Sequence, residues 1–123
     1  MIEVVLPYPI SANRYWRHSA RGVFISDEAR AYKAEVRLRC LKKGIVKLAG
    51  FVNVECWLVP KSAVCIDVDN SLKIALDALQ GWAYYNDKQI VSVKSHKCKP
   101  DKDNPRFVVK VGRGKLAEYP EGA

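Results

Sequence analysis

Long hydrophobic runs, internal repeats and low-complexity tracts are all missing from this 123-residue chain. No apolar stretch nears the roughly 20 residues of a membrane helix, which excludes a helical membrane anchor. Cysteine is sparse and badly spaced for a metal knuckle. Cys40, Cys56, Cys65 and Cys98 form no Cys-x-x-Cys pair, and only His18 and His96 could join them, so no zinc site is expected. The opening Met1-Ile2-Glu3-Val4-Val5-Leu6-Pro7 has no basic start and its apolar run stops at a proline. No export signal is therefore expected, and the thiols read as reduced and mostly buried in a cytoplasmic protein. Acidic residues are scarce too: 13 Asp and Glu face 21 Lys and Arg, a net charge of +8. That balance suits a polyanionic partner such as nucleic acid.

What is present fits one small folded domain. Hydrophobic residues make up 49% of the chain, enough for a modest core. Residues 2–6 and 22–25 read as short strands. Ser26 is a helix N-cap with Asp27 and Glu28 in the first turn, and Ala29, Tyr32, Val36 and Cys40 carry helical spacing to Lys43-Gly44. Val52, Val54, Cys56 and Leu58 alternate with Asn53, Glu55 and Trp57, the pattern of a half-buried strand. Ile66 and Val68 alternate with Asp67 and Asp69 as a short extended approach to a second helix. That helix starts near Asp69-Asn70, with Leu72, Leu76 and Leu79 as its apolar stripe, and ends at Gln80-Gly81. Strands around Val91–Lys94 and Phe107–Val111 follow, joined by the turn-rich Pro100–Pro105 as a hairpin loop. The expected fold is α+β: a single domain over residues 1–113, a mixed sheet of about four strands with two main helices, and a flexible tail over 114–123.

The acids that do occur are concentrated in one place. Asp67 and Asp69 stand two apart, and on an extended strand they share a face. Lys73 follows four residues later, one helical turn on, and Asp87 comes after the helix and a turn, from which a return strand could bring it back. Three carboxylates and one ammonium leave a charge of −2, which one divalent ion balances. Oxygen ligands suit magnesium or manganese. A carboxylate cluster in a basic protein is the pattern expected where a divalent ion meets a phosphate. The same residues have a plainer reading. Asp69 or Asn70 would cap the helix, Lys73 and Asp77 would form an i,i+4 surface pair, and Asp87 would be a turn residue.

Several separated motifs in order carry a resemblance. Asp67-Val68-Asp69-Asn70-x-x-Lys73, then Asp77-Ala78-Leu79, then Asn86-Asp87-Lys88-Gln89-Ile90 resemble the signature of the RusA-type Holliday junction resolvases. The opening Pro7-x-Pro9-x-Ser11-x-Asn13, with Tyr15 and Trp16, is similar to that family's start, so agreement runs from about residue 6 to 95. The resemblance implies a small homodimeric endonuclease that binds four-way DNA junctions and nicks two strands symmetrically with Mg2+ or Mn2+. By it, Asp67, Asp69 and Asp87 are the metal-binding acids and Lys73 is the catalytic lysine. Asn70 would orient an acid or contact phosphate, and Asp77 would support the ligands from behind or be structural, not a ligand itself. The family's arginines before the first aspartate are absent, since Lys61-Ser62-Ala63-Val64-Cys65-Ile66 holds a single cation.

Phosphate contacts are therefore expected elsewhere. Residues 30–47 carry seven cations against Glu35, and residues 94–115 carry eight against Asp101 and Asp103. Arg30, Lys33 and Arg37 share a helical face, and Lys94 and Lys97 lie on a strand, so all five are candidate DNA contacts. Asn13, Arg14, Tyr15, Trp16 and Arg17 add a segment in which rings between cations could stack on unpaired bases. Two other functions stay open at this stage: a non-catalytic protein that binds branched DNA, and a metal nuclease acting less selectively on flaps. His18 and His96 are assigned no chemistry.

Overall fold

The computed structural model describes residues 1–10, 16–63, 68–120 and 122, with the backbone alone at Arg17, Val68 and Asp69. Strand β1 (Ile2–Pro7) leads to a hairpin of β2 (Trp16–Ser19) and β3 (Gly22–Ile25). Helix α1 (Asp27–Lys43) starts at once, because Ser26 accepts a hydrogen bond from the Ala29 amide at 3.1 Å, and Gly44 stops it in the left-handed region at φ 67°. Strand β4 (Val52–Val59), helix α2 (Val68–Leu79), a short 3-10 turn (Asp87–Gln89), β5 (Ile90–Lys97) and β6 (Arg106–Arg113) complete the order.

Four strands form one mixed sheet in the order β1-β6-β4-β5. The alternation read from the sequence sets its inner face: Val4, Leu6, Val52, Val54, Cys56, Leu58, Phe107, Val109 and Val111 are buried against Ala29, Tyr32 and Val36 of α1 and Ile74, Ala78 and Leu79 of α2. Both helices thus join a single core on one side of the sheet. The other face is open and polar. There His96 Nε2 meets Glu55 at 2.8 Å, the His96 ring stacks on Trp57, and Lys110 sits over the same indole. Two donors of α1 blunt the β1 edge: Tyr32 donates to the Pro7 carbonyl at 3.0 Å and Arg39 to that of Val5 at 2.8 Å.

Three expectations need correction. β5 and β6 are not a hairpin: β5 runs parallel to β4, and β6 pairs antiparallel with the other side of β4 and with β1. The turn-rich stretch instead carries the chain past the end of β4, where Cys98 donates to the Leu58 carbonyl and Asp101 to that of Pro60, both at 2.8 Å. The buried stripe of α2 is Ser71, Ile74, Ala75, Ala78 and Leu79, while Leu72 and Leu76 flank it half-buried. Finally, α2 already includes Val68 and Asp69, so Asp69 is a helical residue and not the end of a strand. Cys40 and Cys56 are buried free thiols, as expected, and Cys98 is half-buried. Among the described residues no helix is long and apolar enough to cross a membrane.

Candidate active site

Helix α2 carries Lys73 and Asp77 on the side away from its buried stripe. Asp69, Lys73 and Asp77 follow at i, i+4 and i+8, one helical register, with Asn70 beside them and exposed. Asp67 lies outside the described residues. Lys73 is exposed and makes no ion pair among the described residues. Asp77 is held instead by Lys33 of α1, at 3.4 Å, so the surface pair between Lys73 and Asp77 does not form. That bridge is partly exposed and contributes under about 1 kcal/mol, but it fixes the seam between the helices. One turn further on, the Arg37 guanidinium lies 5.3 Å from the centre of the Trp82 ring.

Asp87 sits in a turn that is tied down on every side. Asn86 caps it by accepting from the Lys88 amide at 2.9 Å. Gln89 uses its whole amide: its oxygen accepts from the Tyr85 and Asn86 amides at 2.7 and 2.9 Å, and its nitrogen donates to the Leu48 and Gly50 carbonyls at 2.8 and 2.7 Å. The Gln80 side chain accepts from the Asp87 amide at 3.2 Å. Beneath the turn, the buried Tyr84 hydroxyl donates to the Leu76 carbonyl at 2.6 Å. Burial pushes its pKa well up, and the negative charges of Asp87, Cys56 and Asp77 push the same way. The Asp87 carboxylate itself is exposed and has no hydrogen bond or ion pair among the described residues. A rigid backbone thus presents a free carboxylate to solvent.

The backbones of Asp69 and Asp87 lie at opposite ends of α2. Asp69 is in the first turn of α2, while Asp87 is anchored to Gln80, just past the last turn. Eleven residues of α-helix separate those points by about 16 Å along the axis. Two carboxylates on one magnesium ion lie within about 4 Å of each other. The return strand therefore brings Asp87 to the wrong end of the helix, since β5 starts beside the start of β4 and α2 starts beyond its end. Among the described residues no three His, Cys, Asp or Glu side chains cluster as metal ligands. The carboxylate donor set suits a hard divalent ion.

The predicted cations spread over both faces. Arg30, Lys33 and Arg37 lie on the helix layer, Lys94 lies on the open sheet face beside Glu55, and Lys97 is at the far end of β5. Asn13, Arg14 and Tyr15 are outside the described residues. Trp16 is an exposed residue of β2, and Arg17 follows it on the same strand. The sequence reading gave no role to Gln80, Gln89 or Tyr84. Gln89 stood inside the quoted motif, and an amide with two donors and two lone pairs beside a turn was the signal available.

A model of the family described as Endodeoxyribonuclease RusA matches residues 7–112. The chain belongs to the RusA endodeoxyribonuclease family. A crossover junction endodeoxyribonuclease RusA of Escherichia coli (strain K12) is 30% identical over 97 residues, covering 75% of this chain and 78% of its own length. One from Shigella sonnei (strain Ss046) is 31% identical, and one from Enterobacteria phage 82 is 30% identical, each over the same shares. The match spans both separated parts of the RusA motif and the α+β domain that carries them.

Proposed function

We propose that this protein resolves four-way DNA junctions by paired, symmetric nicks, as a homodimer that requires Mg2+ or Mn2+. The observation that carries the reading is an exposed Lys73 on the helix of the first motif and an exposed Asp87 on a rigid turn of the second, neither of them paired among the described residues. Charged groups left without partners are poised for a ligand, and membership of the RusA family identifies its class. The printed names of the relatives, crossover junction endodeoxyribonucleases, supply the substrate: branched DNA. Bacterial and phage relatives fit a cytoplasmic enzyme.

Asp67, Asp69 and Asp87 would hold the divalent ion, which when bound supplies Lewis acidity toward the scissile phosphate. The separation of Asp69 from Asp87 makes the dimer more than a convenience. Two copies related by a two-fold axis can set the α2 N-terminus of one beside the Asp87 turn of the other, giving two equal centres for two strands. Lys73, one turn from Asp69, places its ammonium where negative charge develops as water adds to phosphorus and the ester oxygen leaves. Asn70 contacts a phosphate oxygen beside it. Arg30 and Arg37, with Lys94 and Lys97, hold the flanking phosphates, while Lys33 stays with Asp77.

The test is cleavage of a labelled four-way junction beside a linear duplex of matching sequence, in magnesium, in manganese and in EDTA. Paired nicks in the junction alone, abolished by EDTA, are expected. Binding without cutting in either metal would replace this reading with a non-catalytic protein of branched DNA, and cutting of flaps as readily as junctions with a less selective nuclease.

A further inference from the structure

We propose that the β2–β3 hairpin is a wedge that stacks Phe24 on bases left unpaired at a DNA branch point; this rests on the junction reading above. Among the described residues the hairpin pairs only with itself, in a two-stranded sheet separate from the main one. Ile25 at its base is half-buried and packs on the core. Side chains alternate along a strand, so Phe24 stands on the opposite face, with 48% of its surface in water. Val23 beside it is 62% exposed. A phenyl ring held in solvent gains nothing in the free protein, and a two-stranded ribbon is marginal without a partner.

The turn is nonetheless built to hold its shape. Gly22 takes φ 120°, a conformation other residues avoid, and the Ser19 hydroxyl accepts from the Arg21 amide at 3.2 Å. Only the buried Ser26 separates β3 from α1, so the ribbon is fixed directly to the helix that carries Arg30 and Lys33.

Charge selects the occupant. Residues 16–25 contain Arg17 and Arg21 and no acid. A two-fold contact between copies would set the same cations against each other. Phosphates neutralise them, and an exposed aromatic ring on a basic ribbon is a surface on which unpaired bases stack with little regard to sequence. A continuous duplex offers no such base, and a branch point does. Phe24 is thus a specificity residue for branched over linear DNA and does not touch the reacting atoms.

The test measures binding to a four-way junction and to a matching duplex, with EDTA present so that no strand is cut, for wild type, Phe24→Ala and Phe24→Tyr. A 2-aminopurine at the branch point reports unstacking. Phe24→Ala should bind the junction about ten-fold more weakly and lose the 2-aminopurine rise, with duplex affinity unchanged and the same melting temperature. Phe24→Tyr should keep both signals. Equal losses on the two DNAs, or an unchanged junction signal in Phe24→Ala, overturn the wedge while leaving the resolvase reading standing. A fall of Phe24→Ala from dimer to monomer in sedimentation would make the hairpin a subunit contact instead. If the wild type itself shows no preference for the junction, the resolvase reading falls and the wedge with it.

Discussion

Lys73 and Asp87, unlike Asp77 on the same helix as Lys73, have no ion pair among the described residues. Lys33, Glu35, Glu55 and Asp77, by contrast, are spoken for. Lys73→Ala should lower the single-turnover cleavage rate by about 10²–10³, the usual effect of removing a charge stabiliser, with little change in junction affinity. A large affinity loss at an unchanged rate would make Lys73 a DNA contact. Asp69→Asn should abolish cutting in both metals and keep binding in a gel-shift assay; cutting at the wild-type rate would sink its assignment as a ligand. Buried acids of a different kind govern alkaline stability. Burial and then the Glu55 carboxylate push the Cys56 thiol up to about 12, from an ordinary value near 9. Above pH 9 the unfolded chain releases that proton and the folded chain keeps it, so stability falls by about 1.4 kcal/mol per pH unit until the folded thiol ionises too. Tyr32 and Tyr84 act in the same direction at higher pH. Urea midpoints measured from pH 8 to 11 should decline, and Cys56→Ala should flatten the first part of the decline. At this scale the family motif was legible because residue type and order are the signal. Gln80, Gln89 and Tyr84 were not, because what they do is defined by backbone groups, and for Gln89 those lie as far as 41 residues away.

The elements were readable where one residue decides them. Ser26 and Gly44 bound α1 as their chemistry requires, and period-two burial marked β4 and β6. The start of α2 was misplaced because Ile66-Asp67-Val68-Asp69 alternates like a strand, while the helical side of the boundary already begins at Val68. The hairpin of β5 and β6 was misread for a related reason. Turn-forming residues over 100–105 say that the chain reverses, but not that another strand lies between the two arms. The Asp87 turn is the element whose stability matters most to the site. Gln89→Ala removes four hydrogen bonds at once, two of which cross to the segment before β4. At a net worth of about 0.5–1.5 kcal/mol each, discounted for exposure, the loss should be about 2 kcal/mol in denaturant melts. Cleavage should fall further than stability explains, because Asp87 is then free to wander. A variant with unchanged activity would show that the turn need not be rigid.

At the scale of the whole molecule, the mixed sheet separates what the motif had seemed to unite. The parallel pairing of β4 with β5 obliges α2 to travel the length of the sheet, and the acids end at opposite ends of it. Nothing in the spacing of Asp69 and Asp87 reveals that; only the strand order does. The proposed shared centre has a direct consequence. Asp69→Asn and Asp87→Asn proteins, each inactive alone, should recover nicking when mixed and allowed to exchange subunits. One of the two centres in each mixed dimer then has all its acids. Mixtures that stay inactive while exchange is shown by sedimentation or crosslinking would place the complete site within one chain.

The register of the sheet also sets a timetable. β1, the first strand of this sheet in chain order, has among the described residues a single neighbour, β6, the last in chain order, with Ile2 facing Val111 across the pair. On the ribosome the first strand therefore waits, its edge unfilled, through the synthesis of both helices, the hairpin and the acidic motif. β4 likewise lacks one of its two partners until that same strand arrives. The sheet closes only once β6 has left the exit tunnel, so both parts of the nuclease motif are complete in the nascent chain before the scaffold that holds them exists.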